Sequence, residues 1–251
     1  MEGHMRIRDA IISDVTPLPE GEVDNAIQML RTASQRELRE ETFLCQEFLP
    51  MLGLNNEQLP EFPEALYPWC GKGIRSWQYP IQFSAYLAYL SGIPTETYVE
   101  IGCRHGGTFI IIVEYLRRFF DLRRAVAIDL DATPIMRDYA DRTAGVEYRI
   151  ANSREPALRA YLGSSPWDLA FIDGDHSHEG CMSDFHAVRQ VARRIALHDI
   201  TSDACPGVAQ SWREITKIVP GRKLFVATDQ YKEVQSRTGK TFLGIGVVDF
   251  R

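Results

Sequence analysis

The stretch Tyr98-Val-Glu-Ile-Gly-Cys-Arg-His-Gly-Gly-Thr108 decides the fold. Tyr98 to Ile101 is β-branched and aromatic with turn formers on both sides, which predicts a short buried strand. Gly102, Gly106 and Gly107 supply the tight or positive-φ backbone of a turn that a ligand can approach closely. Thr108 is placed to cap a helix running from Phe109 to about Phe120. Strand, glycine turn and helix in that order form the nucleotide-binding corner of a doubly wound α/β fold.

What the corner lacks narrows the nucleotide. A dinucleotide fingerprint needs G-x-G-x-x-G, and a phosphate loop needs G-x-x-x-x-G-K-[ST]. Here Gly102 is followed by Cys103, Arg104 and His105 before the next glycine. Glu100 would repel a diphosphate, whereas it could accept hydrogen bonds from an ammonium group or from ribose hydroxyls. Asp129, at the end of the next apolar run, suits the two hydroxyls of a ribose. A cationic nucleoside without phosphate fits this pair better than NAD does.

Outward from the corner, apolar runs alternate with helical patterns. Strands are predicted over 125–128, 146–150, 169–172, 195–197, 224–227 and 242–250, the last expected to be antiparallel at or near an edge. Helices are predicted over 134–143, 155–161, 178–191 and 208–219, with none evident between the last two strands. Together with the first strand this makes an α/β, doubly wound, mostly parallel seven-stranded sheet. Upstream, 24–49 reads as one amphipathic helix, 59–69 as irregular and 82–90 as a further helix. Residues 6–96 therefore read as an N-terminal helical cap and substrate region, and 97–251 as the cofactor-binding domain. Residues 1–5 (Met1-Glu-Gly-His-Met5) read as a cloning remnant ahead of a native start at Met5, with neither the charged nor the apolar part of a signal peptide.

Composition sets broad limits on partners. A net charge of −6 argues against a nucleic-acid surface, which needs a basic face. No apolar run is long enough for a membrane span. Cys45, Cys70, Cys103, Cys181 and Cys205 are odd in number, scattered and without a CxxC, which suggests reduced thiols and a cytoplasmic setting. The 24–49 helix offers a surface for a homo-oligomer.

Ligands gather at the carboxyl ends of parallel strands. Those ends carry Glu100 and Gly102, Asp129 and Leu130, Asn152 and Ser153, Asp173 and Asp175, then His198 and Asp199. A turn or capping role explains one such acid easily, but not acids at four of five successive ends. The Asp173-Gly-Asp-His176 run beside His198-Asp199 offers the hard oxygen donors of a magnesium-like cation, with imidazoles that would suit a softer one. His176 is the candidate general base, since an imidazole titrates near neutral pH; Asp175 is the competing base or its orienting group.

Glu100-x-Gly102…Gly106, Asp129, Phe171-Ile-Asp-Gly-Asp-His176, Ala196-Leu-His-Asp-Ile200 and Gly244-Ile-Gly-Val-Val248 resemble class I S-adenosylmethionine-dependent methyltransferases. The subgroup is similar to macrolide-sugar and cephalosporin-pathway O-methyltransferases, and the resemblance covers about residues 70–250. It implies that Glu100, Gly102, Gly106 and Thr108 hold the methionine part of the cofactor, with Gly73 and Ile74 closing over it. It places Asp129 and Leu130 at the ribose, Asn152 and Ser153 near the adenine, and Asp173 at the border of cofactor and metal. By the same resemblance Asp173, His198 and Asp199 are the metal ligands for Mg, Mn or Fe, with His198 standing where relatives of the catechol type have an acid. The implied reaction is O-methylation of a small natural product or sugar. Substrate contacts are expected from Trp69, Trp77, Gln78, Tyr79, Tyr86 and Tyr89, with the 201–206 loop and Trp212 bordering the crevice.

Two other readings compete. Asp173-Gly-Asp175 is also a DxD at a strand end, as in a metal-dependent glycosyltransferase, but the chain lacks a basic cluster for a diphosphate. A non-catalytic cofactor-binding subunit would have less reason to keep the polar strand ends. A short-chain oxidoreductase is disfavoured because Tyr-x-x-x-Lys is absent.

Overall fold

Seven strands build one sheet in the order β3-β2-β1-β4-β5-β7-β6. They are β1 (Thr97–Ile101), β2 (Arg124–Asp129), β3 (Val146–Ile150), β4 (Leu169–Ile172), β5 (Arg194–Leu197), β6 (Lys223–Ala227) and β7 (Ile245–Asp249). β1 to β5 are mutually parallel, and β7 runs antiparallel between β5 and β6. This computed structural model describes residues 20–219 and 222–250; residues 1–5, read above as a cloning remnant, lie outside them. The doubly wound α/β architecture expected from the alternating pattern is the one observed.

The period of two along each strand sorts side chains to opposite faces. Tyr98, Ala125, Ala127, Leu169, Phe171 and Val247 join a core with α1 (Glu20–Thr32), α4 (Pro80–Leu90), α5 (Gly107–Phe119) and α6 (Pro134–Arg142). Val99, Ile101, Val126, Ile128, Ala170, Ile172 and Val248 join the other with α7 (Pro156–Gly163), α8 (His178–Val188) and α9 (Pro206–Ile218). Helix α4 lies on the sheet itself: Tyr86 packs on Phe171 and Phe225, and Tyr89 stacks on Phe225 at 4.4 Å.

Four expectations need correction. The single helix over 24–49 is broken after α1. Ser34 Oγ donates to the Glu37 carboxylate at 2.6 Å and accepts from the Glu37 N–H at 3.1 Å, a capping box that starts a new turn. The chain then resumes as α2 (Glu41–Phe43), a π-turn (Leu44–Phe48) and α3 (Leu49–Leu52). The 59–69 segment holds two 3-10 turns, Leu59–Glu61 and Glu64–Trp69. A helix, α10 (Lys232–Thr238), does lie between the last two strands; its polar sequence carries no apolar stripe to reveal it. The last strand starts at Ile245, since Leu243 (φ 59°) and Gly244 (φ 105°) leave the extended region; as expected it is antiparallel and near an edge, next to the edge strand β6.

Candidate functional site

The carboxyl ends of β1 to β5 open into a cavity of about 860 Å³. Glu100, Gly102, Thr108, Asp129, Leu130, Asn152, Ser153, Asp173, Asp175, His176, His198 and Asp199 all line it, so residues spread over a hundred positions meet on one wall. Gly73, Ile74 and Gly106, expected there too, do not. Ile74 is fully buried, and the Ile74–Ser76 backbone packs so closely on Gly107 that a Cβ at Gly107 would collide with it. Gly73 packs on Leu52 and Gly53. Gly106 is instead the N-cap of α5 in the left-handed region (φ 87°), so Thr108 sits in the first turn and not at the cap.

At the corner, Gly102 (φ 85°) has no room for a side chain, because a Cβ would enter the Asp173 carbonyl at the end of β4. Asp129 ties this turn to β2. Its Oδ2 accepts from the N–H groups of Cys103 (2.8 Å) and Arg104 (2.6 Å), and its Oδ1 from Asp131 N–H at 3.1 Å. A carboxylate has about four acceptor positions, so one stays available to a ligand hydroxyl rather than the two expected from sequence.

Glu100 is fully buried. Its Oε2 accepts from the Tyr98 hydroxyl, while Oε1 has no partner. Burial pushes its carboxyl well above the usual carboxylate range, and the nearby Asp173 and Asp129 push the same way. A buried acceptor without a donor costs about 1–3 kcal/mol, and Glu100 is one of the residues lining the cavity. An ammonium group would satisfy it. The residues therefore fit the amino-acid end of S-adenosylmethionine.

The far wall comes from the segment before β1. Glu57 accepts from Arg104 and pairs with His105 Nε2 at 2.8 Å, and the Arg104 guanidinium stacks over Trp77 at 4.5 Å. Gln58, Glu61, Arg75 and Trp77 line the cavity. Of the aromatic set expected to meet substrate, Trp77 alone reaches it; Tyr79 and Tyr86 are fully buried in core contacts, and Gln78 donates to Thr108 Oγ1 at 3.3 Å. The 201–206 loop contributes Ser202, Ala204 and Cys205, whereas Trp212 packs on Gly246. Gln58, Arg75, Arg104, Asp199 and Leu243 are the described non-glycine residues with positive φ, and every one lines this cavity. Such backbone is costly and persists where a site requires it.

The acidic end forms a compact cluster. Asp173 Oδ1 lies 3.1 Å from His198 Nδ1 and 3.4 Å from His176 Nε2. Asp199 Oδ2 is 3.6 Å from each of these two nitrogens and accepts from Cys205 Sγ at 3.4 Å. The hydrogen bond to Asp173 pushes the His176 imidazole up to about 11, with Cys205 and Asp199 acting in the same direction. This favours the protonated form of His176, a departure from the free base expected. Asp175 does not orient it: its carboxylate accepts from Ser177 N–H (2.9 Å) and Arg154 (2.5 Å), and these hold it below the usual range. His198 is buried with Nε2 unpartnered, as is Oδ1 of Asp199. Ligand atoms of Asp173, His198 and Asp199 lie within 4.8 Å of one another, as do those of His176, Asp199 and Cys205. These are the described side-chain groups whose ligand atoms lie close enough to hold a cation.

His178 and His105 serve other ends. His178 bridges α8 to α9 through Ser211 Oγ (2.9 Å) and Glu214 (3.2 Å). Sequence reading passed over Glu57, Glu61 and Arg75, because nothing in their local pattern ties them to a corner tens of residues away.

Glu61 yields a pH test. Burial, and then the Asp199 charge, push its carboxyl from 4.5 to about 7. Between those values the folded chain binds more protons than the unfolded one, so stability falls as pH rises through this window. The loss should be on the order of 3 kcal/mol from this group. Urea midpoints at pH 5 and pH 7.5 should therefore fall for the wild type and fall much less for Glu61→Gln. Equal falls would remove Glu61 as the source.

Residues 99–200 match the sequence family described as a methyltransferase domain. That segment runs from within β1 to just past β5 and holds the whole parallel half of the sheet with its polar strand ends. No curated protein matches the chain in sequence. Among solved structures it is similar to cofactor-bound Rv0187 from MTB, at 15% identity over 91% of this chain and 96% of that one, with a TM-score of 0.48. It is also similar to a cyclopropane-fatty-acyl-phospholipid synthase-like protein from Lactobacillus casei (9%, 70% and 94%, TM-score 0.43) and to the CurJ carbon methyltransferase (12%, 67% and 52%, TM-score 0.46). No described helix is long and apolar enough to cross a membrane, and all five cysteines are unpaired.

Proposed function

We propose that the chain transfers the methyl group of S-adenosylmethionine to a hydroxyl oxygen of a small molecule of natural-product or sugar type. The observation that carries this is the partnerless Glu100 Oε1, buried beside a glycine turn inside the methyltransferase-domain segment. On this reading Glu100 takes the cofactor ammonium and Asp129 one ribose hydroxyl. Leu130, 66% exposed on the cavity wall, offers an apolar surface to the base, with Asn152 and Ser153 beside it.

Once bound, the sulfonium supplies an already activated methyl group, which leaves the protein to align the acceptor and take its proton. His176 is the most exposed member of the acidic cluster, at 45%, so the acceptor hydroxyl meets the cluster there. Asp173 lies within 3.4 Å of both His176 and His198, so the proton taken up belongs to this set rather than to one ring. Asp173, His198 and Asp199 would hold a divalent cation, which would supply orientation and polarisation of the acceptor oxygen. The nitrogen and sulfur neighbours favour Mn or Fe over Mg.

Calorimetry separates this reading from its rivals. S-adenosylmethionine and S-adenosylhomocysteine should bind, while UDP-sugars and NADPH should not; the reverse result would leave a glycosyltransferase or a reductase. Turnover should vanish on dialysis against EDTA and return with added Mn or Fe. Full activity after dialysis would remove the metal from the proposal and leave the methyl transfer standing.

A further inference from the structure

We infer that Arg75 is the residue that recognises the carboxylate of the bound amino-acid moiety, an inference that rests on the S-adenosylmethionine reading above. An α-amino acid end carries two opposite charges. Glu100 answers the ammonium, and a second, cationic group is needed for the carboxylate. Arg75 is 7% exposed, so its guanidinium is held almost wholly out of bulk water, yet it lines the cavity. Its Nη2 donates to Asn56 Oδ1 at 2.9 Å and lies 3.5 Å from Glu57 Oε1, a loose pairing, since Glu57 is already engaged by Arg104 and His105. Its Nε has no partner at all. A buried guanidinium N–H without an acceptor is as costly as a carboxylate oxygen without a donor, and the two residues that carry these orphans, of opposite sign, line one cavity.

Two further features support the position. Arg75 has φ 51°, a strained value for a long side chain, and its immediate neighbours Ile74 and Ser76 pack on Gly107 at the start of α5. The arginine is thereby held next to the N-terminus of a thirteen-residue helix, whose partial positive charge favours the same anion. Arg104 is a weaker candidate, because it is 56% exposed and its fork is committed to Glu57. The planar guanidinium can grip a carboxylate through two parallel hydrogen bonds, which a lysine cannot do.

The test compares S-adenosylmethionine with its decarboxylated form, which keeps the ammonium, sulfonium and nucleoside. Wild-type protein should bind the full cofactor about tenfold to a hundredfold more tightly. Arg75→Gln should bring the full cofactor down to the affinity of the decarboxylated one and leave the latter unchanged, so the second ligand reports that the variant is folded. Arg75→Lys should recover part of the difference. Equal losses for both ligands in Arg75→Gln would overturn the assignment in favour of a packing role, and so would a wild type that does not distinguish the two. A wild type that binds neither ligand would overturn the S-adenosylmethionine reading and this inference with it.

Discussion

Glu100→Gln should weaken S-adenosylmethionine binding about tenfold to a hundredfold while leaving the melting temperature unchanged or slightly raised. The two halves of this expectation share one cause. In the ligand-free site burial holds the Glu100 carboxyl well above the usual carboxylate range, which favours its neutral form, and Oε1 lacks a donor. Glutamine has the same shape and is also neutral, so the resting core loses nothing. It cannot ionise to meet an ammonium, so only the bound state suffers. Binding to the wild type should accordingly release a proton, seen in calorimetry as an enthalpy that varies with the ionisation enthalpy of the buffer. The variant should show no such dependence. Undiminished affinity in Glu100→Gln would separate Glu100 from the ammonium.

His176→Ala should keep cofactor affinity and lose about a hundredfold to ten-thousandfold in turnover, the range expected for loss of a proton-transfer group. His176 bridges Asp173 and Asp199 at 3.4 and 3.6 Å. Removing it leaves two carboxylates that share only His198, so a modest fall in stability should accompany the loss. His176→Asn, which restores a donor to these oxygens, should recover stability without recovering turnover. That split is the useful readout. Recovery of turnover with asparagine would mean that His176 only holds the cluster together.

Much of the fold is readable along the chain because short apolar runs and their polar ends are local properties. Val146–Ile150 and Leu169–Ile172 are found where predicted, and the glycine corner opens where Gly102 demands it. Errors fall where local pattern and long-range packing disagree. The Ser34–Glu37 capping box sits inside a helical stripe and breaks it, and α10 is stabilised by contacts rather than periodicity: Val234 is buried, and Arg237 donates to the Phe62 carbonyl at 2.8 Å. Gly73 and Ile74 lie two and one positions before Arg75, the residue of their segment that does line the cavity.

The sequence by itself determined the parallel sheet, its row of polar strand ends and a corner unsuited to phosphate, because spacing and residue type specify these. Tertiary structure alone decided that Glu100 Oε1 is buried without a partner, that Asp173 raises the His176 imidazole, and that Glu61, Arg75 and Trp77 line the same cavity. Burial and through-space distance set a proton's place and a partner's reach, and neither quantity is written in the order of the residues.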